Sequence, residues 1–554
     1  MLMLKEGAIG SATIIICSCI KQMNTYTLKN IFIHMCNSRS LLLLVLFFIN
    51  VAIILLACVI LPVHFETVDD VYMCMIADGR YTGTPDPHLV YVSAVYGWIL
   101  NFLYVHFTNI EWYTVGFLFL IIISYTSINY SIIKYYNISR YLKICFLLIL
   151  YLFELRFIQT LQFTCVAGVA CFSGCMLLYS NKGLTSVSWW SGVALIVIAS
   201  MIRFEAAGLV GLLWFPIFVY TYTFELKTWC KFIPLILFVL LLKYSDGLFY
   251  AEQKWQNFKQ YNSLRSQIQD YPKKGNLNQN ILNQDDYDLF IYFCTDTHIV
   301  NNVVLEQLVK LKSNDVSIVN LKQLMPFALV IAALVSYSII SIICMESKKD
   351  KLFVIFYNLV WVTLLVLISC FFDMKGRVFY LMVIPYLYTM FVLHVFFHGK
   401  RLYVSFILLS IVLFAKYSKQ LISQRQGILQ KKLEYTMYQL PMIENLPANS
   451  VVFPVPTTIS LWYQYHDPLL YYKYPTTVCE NSSLSCSPLQ LKLVDKYIDL
   501  LKDNVYLLVY HKIHGNDWAL NALRESIRRN YMVETELVEL KNNERASLYK
   551  LLRK

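Results

Sequence analysis

About eleven stretches of apolar residues, most of them long enough to cross roughly 30 Å of hydrocarbon, constrain this chain more than any other feature. Inside a bilayer each backbone N–H and C=O must find its partner within the same segment, so every such stretch is expected to be a helix. With 58% hydrophobic and 15% charged residues over 554 positions, a water-soluble domain has too little polar surface to cover them. The expected fold is a polytopic α-helical membrane protein of about eleven spans. The formal charge of +12 is scattered through short loops between the apolar runs. That is how charge orients a membrane protein, and no nucleic-acid partner follows from it.

Residues 1–40 hold one short apolar stretch, Ala12 to Ile20, among Lys5, Lys21, Lys29 and Arg39, and read as a cytoplasmic or interfacial segment. The spans are expected near Leu41–Leu61, Trp112–Ile133, Tyr141–Phe153, Leu161–Tyr179, Val187–Ile202, Ala206–Phe224, Phe232–Leu248, Gln323–Cys344, Leu352–Phe372, Phe379–Phe397 and Leu402–Phe414. The strongly basic short loops then share the inner side, with one small exception, and the loop 64–110 faces out. Within that loop Leu89–Phe107 has membrane-like length. Its tyrosines and tryptophan favour the interface, so it reads as a surface helix; as a full span it would invert everything after it.

Five regions follow: the N-terminal segment 1–40, a transmembrane catalytic module 41–249 including loop 64–110, an outer insertion 250–322, a second transmembrane module 323–417, and an extracytoplasmic α/β domain 418–554. In the insertion, Trp255, Phe258, Tyr261, Leu264 and Ile268 recur at helical spacing, followed by a Gly/Asn-rich turn at 275–283 and a second helical pattern at 298–312. The last region alternates strand and helix patterns after a polar helix at 418–438. Of fifteen cysteines most sit in apolar runs, where the side chain behaves as a small hydrophobe. Cys479 and Cys486 close a polar loop and are the one candidate disulfide.

The residues that could carry chemistry are charged groups returned to one membrane boundary. Asp69 and Asp70 follow the first span; being adjacent, they cannot point the same way. One could face a substrate while the other caps a helix or binds a cation; the bland alternative is a solvated loop. Glu154 and Arg156 lie where the third span meets the outer surface, and Arg156, Gln159 and Gln162 would share a polar face if one helix continues through them. Arg203 with Glu205, and Asp373, Lys375 and Arg377, repeat the pattern after later spans. Basic groups at the outer boundary run against the orienting rule. A membrane-attached phosphate would explain them, since a guanidinium grips phosphate oxygens with two donors; an ion pair with the neighbouring carboxylate is the structural alternative. Trp98 could stack on a sugar, or simply anchor the interface. Histidine spacing signals no metal, and there is no Gly-rich phosphate loop or serine elbow. His88 near Asp86, and His466 beside Asp467, read as loop residues.

With these residues in place, the chain resembles the GT-C superfamily of membrane glycosyltransferases, which use polyprenyl-phosphate sugars as donors. The resemblance is carried by Asp69-Asp70 in the first outer loop, by Tyr81-Thr82-Gly83 and Tyr96-Gly97-Trp98 after it, and by Arg203 and Lys375-Gly376-Arg377. Trp255 to Tyr271 and Asp285-Asp286-Tyr287 resemble an outer insertion of bacterial members. It covers roughly residues 41–415 and implies catalytic Asp69 and Asp70, with Arg156, Gln159, Arg203, Glu205, Lys375, Arg377, Tyr81 and Trp98 as substrate-binding residues. It further implies an inverting transfer to a lipid-linked or other envelope glycan acceptor, in a bacterial inner membrane with the site outside. No cofactor is required; a divalent cation such as Mg or Mn at Asp69 and Asp70 is compatible with it. Trp189-Trp190 is followed by Ser191, so the Trp-Trp-Asp signature of oligosaccharyltransferases is absent. A glycan polymerase or ligase, and a transporter or flippase of lipid-linked sugars, are the alternative readings.

Overall fold

Each expected apolar stretch forms a helix in the computed structural model, which describes residues 38–136, 138–180, 186–222, 230–269, 281–311, 318–372, 374–396, 400–455, 467–470, 476–479, 484, 486–510 and 517–554. The expected segment 1–40 lies outside these but for its last three residues, as do most of the turn at 275–283, Asp373 and His466.

The first span is α1 (Arg39–Ile60); the loop after it holds β1 (His64–Phe65), α2 (Val68–Ala77) and α3 (Ala94–His106). Then come α4 (Trp112–Tyr135), α5 (Arg140–Gln159), β2 (Thr160–Leu161), α6 (Phe163–Ser180), α7 (Val187–Ile202), α8 (Phe204–Tyr222) and α9 (Ile233–Phe249). The insertion contributes α10 (Gln253–Gln269), α11 (Gln284–Ile291) and α12 (Asn302–Leu311), before α13 (Ala328–Cys344), α14 (Lys348–Phe371), α15 (Gly376–Phe396) and α16 (Lys400–Glu434).

Among the described residues eight helices are long and apolar enough to cross a membrane, or nine if α9 and α10, bent by 110°, count as one span. This makes the chain an integral membrane protein. The expected count of about eleven is not reached on that measure because α7 is short and α5 carries Arg140, Lys143, Glu154 and Arg156.

Helix α3 has thirteen residues, too few to cross, and turns Trp98, Ile99, Phe102 and Val105 outward. That apolar face suits a helix lying in the interface. Its inner face lies against Pro87: a Cβ on Gly97 would come within 2.2 Å of the Pro87 carbonyl oxygen. Gly97→Ala is therefore expected to destabilise the protein by about 1–3 kcal/mol, read as a lowered melting temperature in detergent.

Helix α6 runs through the centre of the bundle with almost every residue buried, packed on α4, α7, α8 and α15. Gly174 on α6 and Gly192 on α7 face each other's backbone, the small-residue contact that lets membrane helices approach closely.

Helix α16 is longer than expected. The span at 402–414 and the polar helix at 418–438 are one continuous rod of 35 residues, followed by a π-helical turn, Tyr435–Gln439. No proline or glycine cap falls between the two expected pieces to end the first.

Beyond it lies the α/β domain, with β3 (Ser450–Pro454), β4 (Thr476–Val478), β5 (Val505–Tyr510), α17 (Asp517–Tyr531), β6 (Thr535–Asn542) and β7 (Ala546–Arg553). The sheet order is β4-β3-β5-β7-β6, parallel through β4, β3 and β5 and antiparallel through β7 and β6. Between β4 and β5 the chain forms two 3-10 turns, Gln490–Lys492 and Tyr497–Leu501.

The insertion and this domain share a core. Leu289 and Cys294 pack with Val451, Leu507 and Leu523, and Arg529 pairs with Asp285 at 3.2 Å and Asp286 at 3.3 Å. Cys479 and Cys486, the candidate disulfide, are both free thiols. They are buried in different clusters, Cys479 under the sheet and Cys486 beside Tyr261, which holds them apart.

Candidate functional site

Thr67 precedes α2, whose first turn carries Asp69 and Asp70, where the helix dipole favours negative charge. Successive helical residues diverge, and here they part into two environments. Asp70 is fully buried; its Oδ1 accepts from the Tyr113 hydroxyl at 2.9 Å and the Phe163 amide at 3.0 Å, and its Oδ2 from Thr67 Oγ1 at 2.6 Å. One carboxyl thus ties the loop helix to the first turns of α4 and α6. Asp69 is only half-buried. The short parallel pairing of β1 with β2, His64 to Thr160 and Phe65 to Leu161, fixes the loop from its other side.

Burial dominates at Asp70 and pushes its carboxyl up to about 7, with Thr67, Phe163 and Tyr113 pulling the other way. A raised acid keeps its proton in the folded protein at a pH where the unfolded chain has lost it. Stability from this group is therefore complete below about pH 4 and declines as the pH rises through about 7, by up to the order of 4 kcal/mol. Asp78, also buried, is pushed to about 7 in the same direction. The melting temperature is expected to fall between pH 5 and pH 8, and to fall less in Asp70→Asn, which keeps the shape and the oxygen that accepts from Tyr113 and Phe163 but does not titrate.

A second buried cluster braces the loop. Arg80 pairs with Asp78 and, at 2.9 Å, with Glu111, and donates to the Cys74 sulfur at 3.3 Å; the Cys74 thiol and the Tyr104 hydroxyl both donate to Glu111 Oε1. Cys74, Asp78 and Glu111 are close enough to share a metal ion, but the guanidinium already occupies that position with a positive charge.

The expected basic residues gather around the start of α6. Glu66, Asp70, Arg156 and Arg377 all act electrostatically on Cys165, in the first turn of α6. Arg156 donates to Thr160 Oγ1 at 2.6 Å and lies near Tyr380, whose hydroxyl accepts from Gln420 at 2.8 Å. Arg203 stacks over the rings of Phe163 and Tyr91, at 5.3 and 5.9 Å, and pairs with Glu205 at 3.0 Å; Lys243 reaches the same carboxylate at 3.9 Å. Phe163 is thus met by Asp70 at its backbone amide and by Arg203 at its ring.

Other expected residues are placed differently. Gln159 is buried, its amide donating to the Leu421 carbonyl at 3.4 Å. Gln162 does not continue its face: β2 interrupts the helix, and Gln162 accepts from the Cys165 amide at the head of α6. Tyr81 is buried and its hydroxyl donates to Gln490 at 3.0 Å, joining the loop to the α/β domain as Tyr72 does through the Cys479 carbonyl. Trp98 stands 55% exposed on α3, edge-on to Phe249. Lys375 is exposed just ahead of α15. His88, read as a loop residue, is clasped between Phe249 and Trp255 with Nδ1 2.7 Å from Asp86. Tyr113, Phe163, Thr67 and Glu66 carry no local signal in the sequence; only the long-range packing of α2 on α4 and α6 brings them in.

No family model matches the chain, and no curated protein matches it. Among solved structures it is similar to ArnT from Cupriavidus metallidurans, in the apo state at 10% identity with a TM-score of 0.43, and bound to undecaprenyl phosphate at 9% identity with a TM-score of 0.42. Each match covers 91% of this chain and 97% of that one.

Proposed function

We propose that this protein is a GT-C-type inverting glycosyltransferase that moves a sugar from a polyprenyl-phosphate donor to a lipid-linked or other envelope glycan acceptor, at the extracytoplasmic rim of a bacterial inner membrane. The observation that carries this is the meeting of the Asp69-Asp70 turn with Arg156, Arg377 and Arg203 around the head of α6.

The two aspartates take different parts. Asp69, the one with access, accepts the proton of the acceptor hydroxyl as that oxygen bonds to the anomeric carbon. The bond between the anomeric carbon and the phosphate oxygen breaks on the opposite face, and its electron pair leaves with the polyprenyl phosphate. Arg156 and Arg377 stabilise that growing charge. Asp70 is a positioning residue that holds the turn. Its two oxygens already accept from three donors, which makes the pair a poor cation seat, and no step is routed through a metal.

The test is product analysis with purified protein in native-like lipid, given polyprenyl-phosphate sugars, polyprenyl-diphosphate sugars and an envelope glycolipid extract as acceptor. Transfer from the monophosphate with inverted anomeric configuration is expected. Transfer from the diphosphate alone would point to a polymerase or ligase; retained configuration, or no transfer from either donor, would overturn the proposal.

A further inference from the structure

Val90 stands at φ +67°, a left-handed backbone that a β-branched residue adopts only where its surroundings impose it. One side of the constraint is the corner where α9 and α10 bend by 110°. There His88 is stacked between Phe249 at 4.4 Å and Trp255 at 4.8 Å, with Tyr250 edge-on at 5.6 Å. Asp86 fixes the imidazole: one of its oxygens accepts from the His88 amide at 2.9 Å and lies 2.7 Å from Nδ1. The Val90 amide itself donates to the Tyr250 hydroxyl at 3.0 Å. Further on, Asp246 of α9 accepts from Ser93 Oγ at 2.8 Å and from the Ala94 amide at 2.9 Å.

The other side is the candidate site. Tyr91 stacks on Phe163 with ring centroids 6.4 Å apart, and the Arg203 guanidinium covers both rings. The Ser93 amide donates at 2.7 Å to the carbonyl of Met201, at the end of α7 and just before Arg203. Residues 88–94 therefore bridge the α9–α10 corner to the junction of α7 and α8. Val90 is the residue at which the chain passes from one attachment to the other. Relaxing its φ to an ordinary helical or extended value turns the chain by roughly 130° or more, which withdraws either His88 from the corner or Tyr91 from the guanidinium.

We propose that His88 and Val90 are positioning residues for Arg203: the stacked His88 holds Val90 in its strained form, and that form keeps the Tyr91 ring beneath the guanidinium. The insertion thereby acts on sugar transfer without touching substrate. Strain suits this part, because a bridge that springs back when either end lets go makes the two attachments depend on each other. The proposal rests on the glycosyltransferase reading above, with Arg203 as a ligand of the donor phosphate.

The experiment uses the full chain in nanodiscs and reads two quantities: hydrogen exchange at residues 88–94 and 201–205, and steady-state transfer from a polyprenyl-phosphate sugar. His88→Ala is expected to speed exchange in both segments by about tenfold, and to raise KM for the donor by about tenfold with kcat within about twofold. His88→Phe keeps the stack of three rings and should hold KM within about threefold of wild type. Val90→Gly, which takes a positive φ without strain, should cut the effect of His88→Ala on KM to below about threefold in the double variant. Unchanged exchange in His88→Ala would overturn the proposal. So would faster exchange with an unchanged KM, or a KM that Val90→Gly leaves raised, since a stack that only stabilises the fold gives either result. If the wild type transfers no sugar from any donor, the enzyme reading fails by itself. Exchange at residues 201–205 then decides the coupling alone: faster in His88→Ala and restored by Val90→Gly supports it, and no change refutes it.

Discussion

Asp69→Asn is expected to lower the turnover of sugar transfer by about 10³, within the range a positioned general base supplies, while the amount of folded protein in the membrane stays as in the wild type. The substitution keeps size and shape and removes only the ability to take a proton. Asp70→Asn should cost much less, because an amide there still accepts from Tyr113 and Phe163 and can donate to Thr67. The check is single-turnover transfer at saturating donor for both variants, beside their melting curves. A folded Asp70→Asn that loses more activity than Asp69→Asn would reverse the two roles.

The largest stability effect is expected at Arg80. Its side chain is 9% exposed and faces two buried carboxylates, Asp78 and Glu111, so Arg80→Ala leaves both without a countercharge. Breaking a buried pair from one side costs about 3–5 kcal/mol, enough to leave little folded protein. Neutralising the cluster together, with Arg80→Met, Asp78→Asn and Glu111→Gln, should recover most of that loss. Yield of monodisperse protein and the thermal melt report the outcome. Survival of Arg80→Ala with an unchanged melt would show that water reaches the cluster.

The helices were legible because a bilayer leaves an apolar run no other structure, and Leu89–Phe107 was separable from the spans by its aromatic content. The alternation of strand and helix in the last region was legible from patterning, and so was the buried face of α10, except that Arg265 rather than Leu264 is buried there. What stayed hidden depends on contacts between residues far apart in sequence. The Arg80 cluster joins residues 74 to 111 across a turn and a helix, and Asp70 finds its amide partner 93 residues away. Helix length failed at α16 for the opposite reason: polarity changes along it while the backbone has no cause to stop. The basic residues were identifiable as a set, but the rings and hydroxyls that hold them, Phe163 and Tyr91 under Arg203 and Thr160 beside Arg156, needed the structure in three dimensions.

Helix α16 also sets a clearance. At about 1.5 Å per residue its 35 residues measure about 52 Å, of which roughly 30 Å is membrane. The remaining 20 Å or so is a stiff post whose upper end is clamped to the sheet, through Arg545 on Glu434 and Asn543 on the Tyr438 carbonyl. A domain on a post cannot sink toward the lipid or drift off as one on a slack tether would. Together with the Tyr72 and Tyr81 bonds to the Cys479 carbonyl and Gln490, the post fixes the sheet directly against the loop that carries the acidic turn, so the cover over that loop is a built-in part of the fold.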